Sequence, residues 1–169
     1  MGANSYAYFT PYQRDIQAAL NALRVREFEA GRYDPAMQMA DPPAYMFEFT
    51  FPLDDSVPSP GAQHASIEEA MDAAMESGTR SILDISQITS RPDYSAACPL
   101  DPDDMTKLFG STEPTRAAVE RVLLQGEPAG EGDPYELFWD RIERGQARYL
   151  VVYDGSQPSE IFFAGFSWD

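Results

Sequence analysis

Runs of apolar residues predict strands in three parts of the chain and a hairpin near its end. The strand-like segments are Tyr6 to Phe9, Ala44 to Leu53 and Thr79 to Ile88. Further on, RYLVVY and EIFFAGFSW flank the turn sequence DGSQPS, a pattern typical of a β-hairpin. Both arms are apolar at nearly every position, so we expect both of their faces to be covered, as in the middle of a sheet. Gly165 interrupts the second arm and predicts a bulge or a close backbone contact.

Apolar residues spaced three and four apart predict about five helices, each preceded by a residue that can cap its first turn. The predicted N-caps are Thr10, Ser66, Asp101, Thr112 and Asp133, and the glycines expected to end helices are Gly31, Gly78 and Gly145. Proline follows three of these caps, at a helical position where its missing N–H costs no hydrogen bond. Ser66 and Glu69 have the spacing of a capping box.

The strands and helices are mixed along the chain, and the irregular stretches between them are too short to separate two domains. A chain of 169 residues is long enough to bury a normal core. We therefore predict a single α+β domain over residues 1–169, with a mixed sheet of about five strands and about five helices packed on it. The strand order does not follow from the pattern.

The charge balance changes which partners we expect. Twenty-eight acidic residues against twelve basic ones give a net charge of -16. Such a surface repels phosphate backbones and anionic lipid headgroups, so we expect neither nucleic acid nor membrane as a partner. The acidity has two explanations that the sequence leaves open: a basic protein partner, or a bland origin in genome composition or adaptation to high salt.

Cysteine content and the absence of apolar spans indicate the compartment. Cys98 is the only cysteine, which excludes an internal disulfide and a cysteine-based zinc site within one chain. The segment MGANSYAYFT lacks the charged and apolar blocks of a signal peptide, and no apolar run reaches the roughly 18 residues of a membrane span. We expect a soluble protein of the reducing cytoplasm.

Two residues are candidates for catalysis. His64 is the only histidine, and it precedes the predicted Ser66 cap by two residues. A Cys98 thiol activated by His64 is one possible nucleophile, although Cys98 stands between small residues and a proline, where an inert thiol is usual. The chain has no nucleophile elbow, P-loop or dinucleotide-binding glycine pattern, so we expect no cofactor.

Paired carboxylates offer acid–base or metal chemistry as a further possibility. Such groups occur at Asp54 and Asp55, at Glu68 and Glu69, and in the DPDD segment that begins with Asp101. Most of them stand at predicted helix starts, where capping and the helix dipole already explain an acid. Neither Asp54 and Asp55 with His64 nor the DPDD acids have the ligand spacing of an EF-hand or an HExxH helix, so we predict no metal site.

The sequence favours a protein-interaction module over an enzyme. We expect an acidic surface that docks on a basic protein, for example as an immunity or inhibitor protein that covers the active site of a nuclease-type toxin. The predicted partner-binding residues are Asp101, Asp103, Asp104, Glu127, Glu131 and Asp133. The alternative is a small hydrolase or metal-assisted enzyme that uses His64 with nearby carboxylates. A structural or oligomeric subunit is the third possibility.

Overall fold

One mixed sheet of five strands organises the chain. The computed structural model describes residues 3–46 and 59–168, and the sheet order is β1-β5-β4-β3-β2. The strands are β1 (Ser5–Pro11), β2 (Gln87–Ile88), β3 (Ala96–Pro99), β4 (Gln146–Asp154) and β5 (Gln157–Phe166). β5 is antiparallel to both β1 and β4, whereas β2, β3 and β4 are parallel to one another. The predicted α+β class with a mixed sheet of five strands is confirmed.

Short helices cover the sheet, and the described residues contain six α-helices. They are α1 (Ile16–Ala30), α2 (Ala36–Met39), α3 (Ile67–Ala73), α4 (Pro102–Phe109), α5 (Arg116–Val119) and α6 (Pro134–Leu137). α5 continues directly as a π-helical segment, Glu120–Leu124. Single 3₁₀ turns occur at Ala44–Met46, Ile82–Asp84 and Trp139–Arg141.

The alternation of side chains along the strands builds two hydrophobic cores, one on each face of the sheet. On β1, Tyr6 and Tyr8 enter the core that contains the inner residues of α1, whereas Ala7 and Phe9 enter the core beneath α4. We call these the α1 face, which also carries α3, and the α4 face, which also carries α5 and α6. The fold is therefore a sheet between two helical layers.

The β4–β5 hairpin lies at the centre of this arrangement, as its continuous apolar sequence predicts. Phe163 packs on the α1 face and Phe162 on the α4 face, and both side chains are fully buried. Gly165 is a site of close backbone approach, since a Cβ there would lie 2.5 Å from the Gln146 carbonyl oxygen and 2.8 Å from the Tyr6 hydroxyl. The register shift in the hairpin falls at Val152 and Tyr153 instead.

Three of the predicted helix starts are confirmed by their hydrogen bonds. The Ser66 hydroxyl accepts from the Glu69 N–H, while the Glu69 carboxylate reaches back to accept from the Ala65 N–H at 2.7 Å. Asp101 and Asp133 cap α4 and α6 through their side-chain oxygens. Gly31 ends α1 in the left-handed conformation, with a φ of 74°, as expected of a C-terminal glycine.

The other two predicted N-caps are wrong. α1 is capped by Asp15, whose carboxylate accepts from the Ala18 N–H, because Thr10 and Pro11 remain extended and pair with β5. α5 is capped by Thr115, not Thr112, and its hydroxyl accepts from the Ala118 N–H. Before α5, residues 111–113 form a bend, and Thr115 makes a single bridge to Tyr153 before the helix begins.

The prediction of a strand over Thr79 to Ile88 is also wrong, apart from its last two residues in β2. The buried Asp84 carboxylate accepts from both the N–H and the hydroxyl of Thr79, and Ser81 caps the turn that begins at Ile82. The chain therefore turns around the Asp84 carboxylate and does not form an extended strand there. The predicted strand Ala44 to Leu53 begins as a helical turn at 44–46, and its remainder lies outside the described residues, as do Asp54 and Asp55.

Two further differences between the predicted and the observed secondary structure lie on the α4 face. The helix capped by Asp133 was expected to run to Gly145, but α6 ends at Leu137, where a 3₁₀ turn takes over. β3 lies outside the segments predicted as strands, because Ala96, Ala97 and Cys98 have small side chains that give a weak strand signal.

Replacing Gly165 tests the close approach at the hairpin. We expect Gly165→Ala to lower the free energy of unfolding by about 1–3 kcal/mol, because the added methyl group meets backbone and side-chain atoms that cannot all withdraw. Chemical denaturation measures this change. Ser156→Ala, at the exposed hairpin turn, is the control and should leave stability within about 0.5 kcal/mol of the wild type. Equal stability of Gly165→Ala and the wild type would contradict the close approach.

Candidate functional site

His64 is held by a buried tyrosine on the α1 face. Its Nδ1 lies 2.8 Å from the Tyr33 hydroxyl, and the two rings are 5.7 Å apart between centroids. The Tyr33 hydroxyl also accepts from the Gln63 backbone N–H at 3.2 Å, so the phenol connects two neighbouring residues of one loop. Burial raises the pKa of the Tyr33 phenol, which therefore stays protonated and available as a donor to His64 near neutral pH.

The loop around His64 is tied to the end of α1 by further bonds. The Gly61 N–H and the Ser59 hydroxyl both donate to the Ala30 carbonyl, at 2.9 and 3.1 Å. These bonds satisfy a carbonyl in the last turn of α1 that has no partner within the helix. Within the described part of the chain, the hydrogen-bond partner of His64 is thus a phenol in a bracing network rather than a carboxylate, thiol or serine.

Cys98 lies on the opposite side of the sheet. It follows Ala97 on β3, and since Ala97 packs on the α1 face, the Cys98 side chain points to the α4 face. The structure therefore does not bring Cys98 and His64 together. Cys98 is 3% exposed, and burial raises the pKa of its thiol, an effect that the neighbouring Arg148 guanidinium opposes in part. A thiol in this environment is a poor nucleophile near neutral pH.

The structure does bring together the two acidic segments selected from the sequence. Asp101, Asp103 and Asp104 stand in the first turn of α4, and the loop 126–133 crosses the other end of the same helix. The Gly132 N–H donates to the Lys107 carbonyl at 3.3 Å, and α4 packs against α6. Glu127, Glu131 and Asp133 are consequently on the α4 face with the first three acids. We call this set of six carboxylates the acidic face.

These six carboxylates differ in the ion pairs and hydrogen bonds that they form within the protein. Asp104 is partly buried and pairs with Arg141 at 2.6 Å and with Lys107 at 4.0 Å. The remaining five side chains are exposed, and none of them forms an ion pair with a residue in the described ranges 3–46 and 59–168. Asp101 and Asp133 each accept backbone N–H bonds at a helix start but retain a free carboxylate edge toward solvent.

An aromatic cleft adjoins the acidic face, and the sequence pattern did not single it out. The cleft has a volume of about 500 Å³ and is lined in part by Tyr135, Trp139 and Phe166. Tyr135 is 66% exposed, an unusual state for a large aromatic side chain. Trp139 is fixed in place because its indole N–H donates to the Leu123 carbonyl at 2.9 Å. The sequence feature that could have indicated the exposed Tyr135 is the DPYE cap, because it places this tyrosine in the first turn of α6.

Replacing His64 tests whether its role is bracing. We expect His64→Ala to lower the free energy of unfolding by about 1 kcal/mol, because one hydrogen bond to a buried phenol is lost while Gln63 still donates to that phenol. Gln63→Ala is the matched control in the same loop, since it keeps the backbone donor, and should change stability less. A His64→Ala protein as stable as this control would contradict a bracing role.

The reactivity of Cys98 tests its burial and its raised pKa. We expect the native thiol to react with an aromatic disulfide reagent at least about tenfold more slowly than an exposed thiol. Its reaction rate should also begin to rise at a higher pH than that of the exposed thiol, because its pKa is raised. Ser156→Cys in a Cys98→Ala background provides the exposed thiol on the same chain. Equal rates for the two proteins at pH 7 would show that Cys98 is accessible and ionised.

No helix in the described residues is both long enough and apolar enough to cross a membrane. Among the same residues, no group of three or more histidine, cysteine, aspartate or glutamate side chains is placed to hold a metal ion. No family model, no characterised protein and no solved structure matches the chain.

Proposed function

We propose that this chain is an acidic protein-interaction module that docks on a basic protein through its α4 face. The observation that carries the proposal is the convergence of two separate acidic segments on one face, beside an exposed aromatic residue. An immunity or inhibitor protein that covers the active site of a basic, nuclease-type toxin is the best example of such a module. The single buried cysteine supports a cytoplasmic setting for this interaction.

The charges of the acidic face support a role in partner selection and association rate. Exposed pairs between single charges contribute only about 0–1 kcal/mol each, so they do not by themselves explain tight binding. A field of one sign over a whole face, however, raises the rate of encounter with a basic partner by about 10- to 1000-fold at low salt. The same field repels nucleic acid and anionic membranes, and the net charge of -16 extends this repulsion beyond the face itself.

The aromatic cleft supplies the apolar anchor that the charges lack. Energetically dominant residues at protein interfaces are enriched in tryptophan, tyrosine and arginine, and they sit in desolvated pockets surrounded by polar residues. Tyr135 and Trp139 line such a pocket, and Asp140 adds a carboxylate to its wall. An arginine of a basic partner fits this chemistry, since its guanidinium can stack on an aromatic ring and pair with the carboxylate.

The proposal is tested by measuring association with a purified basic partner, first recovered at low salt and then identified. Neutralising Asp103, Glu127 and Glu131 to Asn, Gln and Gln should reduce the association rate constant about tenfold at low salt, because steering depends on the summed charge. The dissociation rate should change little. Tyr135→Ala should instead accelerate dissociation by about tenfold or more, because an anchor residue is removed. Surface plasmon resonance at several salt concentrations separates the two effects.

The control places the same charge change on the other side of the sheet. Glu29 lies on α1, and Asp72 and Glu76 lie in or just after α3; all three side chains are exposed. Neutralising these three residues should lower the association rate much less than neutralising the acidic face. If both triple variants lose the same amount, net charge rather than the α4 face governs binding. If no basic protein binds at low salt, the proposal fails.

A further inference from the structure

A second cleft on the α4 face lies at the carboxyl end of the parallel strand β3. It is formed by the carboxyl end of β3, the start of α4 and the chain between β2 and β3, and it has a volume of about 470 Å³. That volume falls within the range of small-molecule sites, which extends from about 300 to 1000 Å³. Open sheets with parallel strands commonly bind their ligands outside the carboxyl ends of those strands.

The wall of this cleft contains a buried cation. Arg148 extends from β4 beside Cys98 and is only 8% exposed. Its guanidinium donates to the carbonyls of Ala147 and Arg141, at 3.2 and 2.8 Å. Within the part of the chain that the structure describes, no carboxylate forms an ion pair with it. A guanidinium has five N–H groups, so donors remain for a further acceptor.

A buried charge without a counter-charge is costly, and most are paired in folded proteins. Of the two acids in the cleft wall, Asp104 pairs with Arg141, whereas Asp101 caps α4 through the Asp103 N–H and keeps its negative charge. The exposed Arg91, which also lines the cleft, adds a second cation. The cleft lining thus carries three arginines against two aspartates, a net charge of about +1, in a protein that is otherwise strongly acidic.

The remaining walls of the cleft indicate the chemical character of the rest of the ligand, beyond its anionic group. Leu100, Leu137 and Phe138 line the cleft, together with three prolines at its rim, Pro92, Pro99 and Pro102. These residues suit an apolar body rather than a sugar or a second charged group. The nearby carboxylates of Asp101 and Asp104 would repel a dianion more than a monoanion. The chemistry thus favours a single carboxylate on an apolar framework.

We propose that this cleft binds a small monocarboxylic acid, with its carboxylate on Arg148 and its apolar body on Phe138 and Leu100. A planar carboxylate matches the fork of a guanidinium and provides the missing counter-charge. This site is separate from the aromatic cleft around Tyr135, and its existence does not depend on a protein partner. It gives the module a small-molecule ligand in addition to its docking face.

Benzoate is the probe for this proposal, because it combines one carboxylate with an apolar ring. We expect saturable binding with a Kd of about 1 mM or tighter, followed by NMR through the side-chain N–H resonance of Arg148. Benzamide, which has the same shape without the charge, should bind at least about tenfold more weakly. Inorganic phosphate should also be weaker than benzoate, since it lacks the apolar body and carries more negative charge at neutral pH.

Variants identify the residue that holds the carboxylate. Arg148→Lys keeps the positive charge but loses the planar fork, and should weaken benzoate about tenfold. Arg91→Ala, at an exposed position, should weaken it about threefold through the loss of one partly screened charge. Arg14→Ala is the matched control, since Arg14 is exposed and precedes α1 on the other face. It should leave the Kd unchanged.

A measurement on the wild type keeps the test decisive if Arg148→Lys does not fold. Cys98 lines the same cleft, so bound benzoate should slow its modification by a thiol reagent in proportion to occupancy, whereas benzamide should not. The proposal is overturned if the Arg148 resonance shows no saturable shift up to about 20 mM benzoate, well above the expected Kd. It is also overturned if benzamide or phosphate binds as tightly as benzoate, or if Arg14→Ala weakens binding as much as Arg91→Ala.

Discussion

Burial of both faces of the β4–β5 hairpin is the constraint on which the other elements depend. Phe162 and Phe163 are neighbours in sequence, point in opposite directions and are both fully buried, so each face of the sheet must be covered. Helix α1 covers one face, and the short helices from α4 to α6 cover the other. This requirement, rather than any local preference, brings α4 and the loop 126–133 together. The acidic face is a consequence of closing the second core.

The two helical layers use their polar groups differently. On the α1 face, Tyr33 ties His64 and its loop to the end of α1, so the polar groups there are engaged in holding the chain. On the α4 face, most carboxylates point outward, and a guanidinium lies in a cleft without a carboxylate partner within the described ranges. On the α1 face, the groups around His64 therefore hold the chain, whereas the α4 face also presents groups that are available to a ligand.

Sequence patterns predicted the parts of this structure that depend on short-range interactions. The capping box at Ser66, the caps at Asp101 and Asp133 and the central hairpin all follow from residues within a few positions of one another. The turn around Asp84 could not be predicted in this way, because its carboxylate satisfies the backbone of Thr79 inside the core. Arg148 was missed for a related reason: within RYLVVY it reads as one polar residue in a strand, and only the cleft beside it reveals its position.

The strong negative charge of the chain and an anion-binding cleft are compatible, because the two act over different distances. At physiological ionic strength, exposed charges farther apart than about 8 Å are largely screened from one another. A ligand inside the cleft therefore responds mainly to the groups that line it, where a buried guanidinium is screened least. A protein partner approaching from solution meets the summed field of the acidic face before it makes contact. Net charge thus governs which macromolecules approach the surface, while the few residues around Arg148 govern which small molecule binds in the cleft.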